Sequence, residues 1–311
     1  MDMAKASIRK AYGEALVQMG ERDKNLVVLE ADLGKSTMSY MFEKRFPERF
    51  FEMGIAEQNM AATAAGLSLG GKIPFIHSFA MFVTGRSCEQ IRQSICLPNL
   101  NVKICGSSSG LSDFGDGSTH QALEDIALMR AFPNMTILVP VDANQVVKMV
   151  ETIVTYKGPV YLRINRSELP VLTGKDDNFQ IGKTYVMREG TDFVVFANGI
   201  MVGQALEAAG ILDSQGISVC VVNVPTVKPL NGEEIFLHTH GKKGVVVTEE
   251  HNAIGGLCSA VADVLAYRGG IPMRTVAINE NFGTSAENYE VLLQYFDLTA
   301  ENIIKVIKSF V

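Results

Sequence analysis

Two stretches carry the residues best suited to chemistry. In the first, MGIAEQNMAATAAGLSLGGKIPFIHSFAMF (residues 53–82), Glu57 opens a segment, residues 56–69, made almost entirely of Ala, Gly, Ser, Met and Leu, and a strand-like run after it ends in Phe79 and Phe82. An acid at the apolar start of a helix is either a residue favoured by the helix dipole or a buried proton relay, which needs surroundings that keep it partly protonated. The small and apolar flanks of Glu57 favour burial, and with the Phe79/Phe82 pair it is suited to holding a flat heterocycle. In the second stretch, GSSSGLSDFGDGSTHQ (residues 106–121), Asp116 and His120 form a pair able to orient and protonate a polyol or a carbonyl. The alternative is a loop stitched by Asx and Ser turns, with His120 starting the next helix. A loop this long and polar inside an α/β domain is more often functional than decorative.

The cations worth placing are Arg9, at the start of the first helix, and Arg163 and Arg166, which follow the strand in VYLRINR. Arginine suits bidentate phosphate contact, although structural ion pairs are the commoner use. Asp32 lies just past the strand in LVVLEADLGKST, where open α/β sheets bind ligands, with helix capping an equal alternative. Other patterns fall away. Gly115-Asp116-Gly117 with Asn144 imitates a diphosphate and magnesium signature, but eight residues separate it from the preceding strand and Asn144 enters a helix beyond Pro140. His238 and His240 lack a third ligand and read as helix-end residues. GGLCSA offers a weak anion cradle at a helix start, and His251 has no assigned role. No nucleophile elbow, P-loop or dinucleotide fingerprint occurs.

These residues need a scaffold, and the hydrophobic pattern supplies one. Helices are predicted at residues 8–19, 39–46, 56–69, 84–95, 122–130 and 143–156, and strands at residues 26–29, 73–75, 101–105, 135–139 and 160–164, with a short strand at FFEMG. The short apolar runs are those of parallel strands buried on both faces. Residues 171–190 lose this alternation and read as a linker or a small strand pair. From Asp192 the pattern restarts as a second parallel α/β domain that includes TVKPLN. The expected division is therefore 1–170, a linker at 171–190, and 191–311.

The bulk properties agree with a soluble two-domain chain. It has 311 residues, 47% of them hydrophobic, and a formal net charge of -6 that gives no footprint for nucleic acid or an anionic membrane. Five cysteines without CxxC spacing support neither a disulfide framework nor a zinc site. The expected compartment is the cytoplasm, with no export signal or membrane span.

MGIAEQNM, HSFAMFVTGR, GDGSTHQALEDIALMRAFPNMTILVPVDA, VYLRINRSELPV, TVKPLN, VVVTEEHNAIGG and INENFGTS, taken in order, resemble the C-terminal half of transketolase and the separately encoded C-terminal subunit of split transketolases. The resemblance implies a pyrimidine-binding domain on a parallel sheet followed by a smaller transketolase C-terminal-like α/β domain. It also implies thiamin diphosphate with Mg2+ or Ca2+, the diphosphate and metal being held mainly by an N-terminal partner subunit in an α2β2 assembly. By position, Glu57 matches the acid that bonds N1′ of the aminopyrimidine and promotes its imino tautomer, which takes the thiazolium C2 proton. Phe79 and Phe82 match the residues packed against that ring, and Asp32 an acid near the cofactor. Asp116 and His120 match residues at the sugar hydroxyl and reacting carbonyl, and Arg9, Ser36 and Arg166 those that grip a sugar phosphate.

One match fails. Ser108 stands where a histidine in a THAG-like motif is usual, followed by Asp113, expected to add negative charge, and Phe114, expected to add bulk near the channel. The expected activity is two-carbon ketol transfer between a ketose (phosphate) donor and an aldose acceptor, with altered sugar specificity. The alternatives are a deoxyxylulose-phosphate-synthase-like half, a 2-oxoacid dehydrogenase β-like subunit, or a non-catalytic scaffold in a heteromer.

Overall fold

The computed structural model describes residues 4–310. In chain order the strands are β1 (Lys5–Ser7), β2 (Leu26–Glu30), β3 (Phe50–Glu52), β4 (Ile73–Phe79), β5 (Lys103–Ser107), β6 (Thr136–Leu138), β7 (Val160–Arg163), β8 (Glu168–Pro170), β9 (Tyr185–Arg188), β10 (Phe193–Ala197), β11 (Val219–Asn223), β12 (Thr226–Lys228), β13 (Gly244–Asn252) and β14 (Met273–Ile278). They form a two-domain α/β structure with a seven-stranded sheet, β12-β6-β7-β5-β4-β2-β3, and a five-stranded sheet, β14-β13-β10-β11-β9, while β1 pairs with β8. Every residue of β2, β4, β5 and β7 is buried, because helices cover both faces of the sheet. Alternate side chains enter opposite layers. Val28 and Phe75 pack with Ile8, Tyr12 and Val146, and Leu29 and Ile76 with Met60, Ala64 and Ile91.

Several elements differ from their sequence-based expectation. The helix expected at residues 84–95 begins earlier, at Ala80, and breaks into Ala80–Gly85, Cys88–Gln90 and a wider helical turn at Ile91–Cys96. The one expected from Ala122 begins at Asp125, because Ala122 exchanges backbone hydrogen bonds with Gly110. In the 171–190 segment no internal strand pair forms: β9 joins the second sheet, antiparallel to β11. The strand in TVKPLN leaves the second sheet and closes the edge of the first, antiparallel to β6. Its Val227 is buried with Ile137, Val139 and Met129, which ties the C-terminal half of the chain to the first sheet.

A buried polar cluster makes the second tie. Arg163, which ends β7, donates from Nε to Asp125 at 2.7 Å and from Nη2 to the carbonyls of Ala122 and Glu250. The Glu250 carboxylate accepts from the Leu111 amide and the Tyr289 hydroxyl, each at 2.7 Å, and from Asn165 at 3.3 Å. Gly110 has a φ of 62°, and a Cβ there would lie 2.3 Å from the Glu250 carboxyl carbon, so only glycine fits this close approach. His251, unassigned from sequence, is buried in the same cluster, 3.8 Å from Asp125. Arg163 is therefore a buried joint between the domains, its guanidinium set against Asp125 and Glu250.

Candidate active site

β7, β5, β4, β2 and β3 are consecutive neighbours in the first sheet. The chain runs outward from β2 in both directions, and the crevice at such a switch point, outside the strands' carboxyl ends, is where open α/β sheets bind ligands. All the sequence-derived candidates leave from that edge or approach it. Asp32 and Ser36 follow β2, Glu57 follows β3, Phe79 ends β4, Ser108 follows β5 and Arg166 follows β7.

Glu57 begins the helix Glu57–Leu69 and its side chain is only 3% exposed. The sequence anticipated burial but not the partner: Arg86 donates from Nη1 to Oε1 at 2.9 Å. The buried carboxylate therefore has a cation against it. The Arg86 guanidinium also lies 4.1 Å from the centre of the Phe82 ring. Phe79 and Phe82 are stacked, with centroids 6.0 Å apart and planes 22° from parallel. His120 meets both edge-on, at 6.1 Å from Phe79 and 5.1 Å from Phe82, and Thr119 Oγ1 lies 2.9 Å from its Nδ1. Arg86 thus links buried Glu57 to the ring cluster of Phe79, Phe82 and His120 at this edge of the sheet. Arg86 stands four residues after Phe82, a spacing that stacks side chains on a helix, but the helix expected from residue 84 leaves Phe82 outside it.

The second group forms around Arg166. Arg9 donates from Nε to the Arg166 carbonyl at 3.1 Å and from Nη1 to the Ser36 carbonyl at 2.6 Å. These bonds bring Arg9, Ser36 and Arg166 together, although they engage the backbone of Ser36 and leave its hydroxyl out. Arg166 itself pairs with Asp113 at 2.6 Å and approaches the more exposed Asp116 at 4.0 Å. Asp113 is buried, so the negative charge expected beside a substrate channel is instead spent on Arg166. Burial pushes its carboxyl above the ordinary range, and the Arg166 guanidinium opposes that rise. Phe114, expected to add bulk near the channel, packs part-buried against the main core, and its carbonyl accepts from Ala286 at 3.0 Å. Ser108 is buried with a left-handed φ of 52°.

Glu30, which sequence reading passed over, shapes the Asp32 loop. Its carboxylate accepts from the amides of Ala31 and Leu33, from Thr37 Oγ1 at 2.7 Å and from Ser39 Oγ. Asp32 is held at φ 59° with its amide on Glu52 at 2.9 Å, and the following short helix is capped at Leu33 without a side-chain bond, so Asp32 is free of the capping role. It lines a cleft of about 770 Å³ with Ser36, Tyr40, Phe50 and Glu52. A signal for Glu30 was present: a carboxylate closing an apolar strand, with Thr37 and Ser39 within reach.

Burial pushes the Glu30 carboxyl up to about 7, against the pull of its hydroxyl and amide donors. The folded protein then keeps a proton that the unfolded chain releases above about pH 4.5, so this group subtracts stability as pH rises towards 7. His77 works the other way, since burial lowers it to about 4 and it adds stability as pH rises over that range. Glu30→Gln removes only the first effect. Its stability relative to the wild type, measured by urea unfolding at pH 5 and pH 8, is expected to improve by about 2–3 kcal/mol at the higher pH.

The other patterns resolve into structural roles. Asn144 donates to the Thr173 carbonyl at 2.6 Å, which removes it from the diphosphate-like imitation. The anion at the GGLCSA helix start is the protein's own Glu249 carboxylate, bonded to the amides of Leu257 and Cys258 at 2.7 Å each. His238 sits in the last turn of the helix Gly232–Thr239 and His240 follows it. Among the described residues no group of three His, Cys, Asp or Glu side chains is placed to hold a metal ion, and no helix is long and apolar enough to cross a membrane.

The fold defines a class, a two-domain α/β protein whose first sheet gathers its candidate residues at one edge. Residues 4–171 match the transketolase pyrimidine-binding domain and residues 182–303 the transketolase C-terminal domain. A Methanocaldococcus jannaschii protein named provisionally as a transketolase C-terminal section is 44% identical over 96% of this chain and 94% of its own length. A 6-deoxy-6-sulfo-D-fructose transketolase subunit of a Clostridium species is 40% identical over 96% and 92%. A solved structure described as a split gene transketolase, inactive β4 tetramer, superimposes with a TM-score of 0.89 at 44% identity over 98% of both chains. The chain belongs to the transketolase family and corresponds to the C-terminal section that split transketolases encode separately.

Proposed function

We propose that this chain is the pyrimidine-side subunit of a thiamin-diphosphate-dependent transketolase, completed by an N-terminal subunit that supplies the diphosphate and metal site. The observation that carries the proposal is the gathering of buried Glu57, stacked Phe79 and Phe82, and His120 at one edge of the sheet, with Arg86 bridging Glu57 to Phe82. This group suits the flat aminopyrimidine end of the cofactor, with aromatic faces for the ring and a carboxylate for its nitrogen edge. Bound there, thiamin diphosphate would supply a carbanion at its thiazolium able to accept and release a two-carbon ketol unit.

The chain's own residues divide the remaining work. Glu57 would hold and share a proton with the ring nitrogen N1′. Phe79 and Phe82 would fix the ring plane and exclude water. His120, braced edge-on against both rings, would present its imidazole to the substrate carbonyl or C1 hydroxyl, with Asp116 at a sugar hydroxyl and Arg9, Ser36 and Arg166 at the far end. Asp32 would face the cofactor from the β2 loop. The retained Asp116/His120 loop and the Arg9/Ser36 pair favour transketolase chemistry over the synthase-like and dehydrogenase-like alternatives.

The sugar is proposed to differ from an ordinary pentose phosphate. Asp113 already occupies Arg166, and Ser108 offers no imidazole, so a phosphate would meet a weakened grip. The relative named for 6-deoxy-6-sulfo-D-fructose supports a modified sugar. Steady-state assays of the assembled pair should show poor use of xylulose 5-phosphate with ribose 5-phosphate compared with 6-deoxy-6-sulfofructose as donor; ordinary transketolase activity on the pentose phosphates would refute the altered specificity. Asp113→Asn frees Arg166 with little change in volume, and is expected to lower KM for a phosphorylated sugar about ten- to a hundred-fold, the value of a hydrogen bond to a charged group.

A further inference from the structure

We infer that Arg86 occupies the place of the cofactor's aminopyrimidine in the free subunit and has to leave before the ring can enter. The inference rests on the proposed function, in which Glu57 and Phe82 receive that ring. The guanidinium makes both contacts assigned to the heterocycle: an N–H on Glu57 Oε1 at 2.9 Å and a flat face 4.1 Å from the Phe82 centroid. A guanidinium is planar and presents an N–C–N edge. The amino-substituted edge of an aminopyrimidine has the same shape, so one group can stand in for the other.

The two partners are unequal, and that decides which of them moves. Glu57 is 3% exposed and fixed at a helix start, whereas the Arg86 side chain is 49% exposed and reaches in from the surface. An unpaired carboxylate at this depth is expensive. Arg86 therefore spares the empty subunit a bare buried charge, and the arriving ring can take over that carboxylate while the arginine returns to water, where it is well solvated. Arg86 also places an N–H on Glu57 Oε1, so that oxygen can face the ring nitrogen only once Arg86 has withdrawn. On this account the arginine competes with the cofactor.

The test is calorimetric titration of thiamin diphosphate, at saturating Mg2+, into the complex purified with its N-terminal partner. Arg86→Met removes the competing group and is expected to tighten binding roughly three- to tenfold, the value of a half-exposed ion pair. Arg86→Lys keeps a positive charge for Glu57 but cannot stack as a plane, and is expected to tighten binding by a smaller factor. Unchanged or weaker binding in both variants, with a wild-type complex that binds normally, overturns the inference and leaves the proposed function standing. A wild-type complex that binds no thiamin diphosphate overturns the proposed function, and this inference with it.

Discussion

Glu57→Ala, in the complex assembled with its N-terminal partner, is expected to lower ketol-transfer turnover by about 10²- to 10⁴-fold, the usual contribution of a positioned proton-transfer group. The effect should fall on turnover and leave the fold intact, since Glu57 serves no packing layer and its one side-chain partner, Arg86, is half exposed and can return to solvent. Glu57→Gln separates proton sharing from hydrogen bonding. It retains the size and one acceptor oxygen, so it should recover part of the cofactor affinity while remaining nearly inactive. Turnover is read by a coupled assay and assembly by co-elution of the two subunits. Full activity in the alanine variant would leave Glu57 as a helix-start acid and return the chain to the scaffold alternative.

The second large effect is on stability. Asp125 and Arg163 are both buried, 2.7 Å apart, and join the segment after the 106–121 loop, β7 and the C-terminal domain. Burial acts to raise the Asp125 carboxyl, but the Arg163 guanidinium, His251 and the Tyr161 hydroxyl outweigh it and hold the carboxyl below its ordinary value. Its contribution is therefore present above about pH 4 and lost as pH falls through the lowered value. Replacing one member strands the other as a buried charge. Arg163→Met is expected to cost about 3–5 kcal/mol, measured by urea unfolding at pH 7, whereas a surface pair such as Lys10 with Glu14 should cost less than about 1 kcal/mol. The double variant Arg163→Met/Asp125→Leu should recover part of the loss, because no charge is then stranded.

These residues show what a sequence can and cannot reveal. The apolar runs in β2, β4, β5 and β7 were readable because strands buried on both faces are mostly apolar, with polar exceptions such as Glu30, His77 and Arg163 towards their carboxyl ends. Their carboxyl ends then placed Asp32, Phe79, Ser108 and Arg166 at one edge of one sheet. Partners across the sheet were not readable. Nothing in the spacing of Asp113 and Arg166, or of Asp125, Arg163 and Glu250, states that they meet, since such pairs depend on how loops from different strands and domains fold back. Sequence alone therefore leaves Asp113 as an added charge near the channel and Arg163 open between phosphate contact and a structural ion pair. The strand in TVKPLN was misplaced for a similar reason: an apolar valine between polar neighbours suits either sheet edge, and only packing against Ile137 and Val139 selects the first. Glu57 and Arg86 belong with these, since the helix expected from residue 84 leaves Phe82 outside it, and both the stacking on Phe82 and the ion pair needed the fold.

The central claim is that this chain carries half of a cofactor site, and comparing the chain alone with the chain plus its partner tests it most directly. In saturating thiamin diphosphate and Mg2+, the isolated chain should transfer no ketol unit. The same chain purified with an N-terminal, diphosphate-binding subunit should turn over, and Glu57→Ala in that complex should not. Turnover by the isolated chain, or a complex inert with every ketose donor tried, would contradict the account.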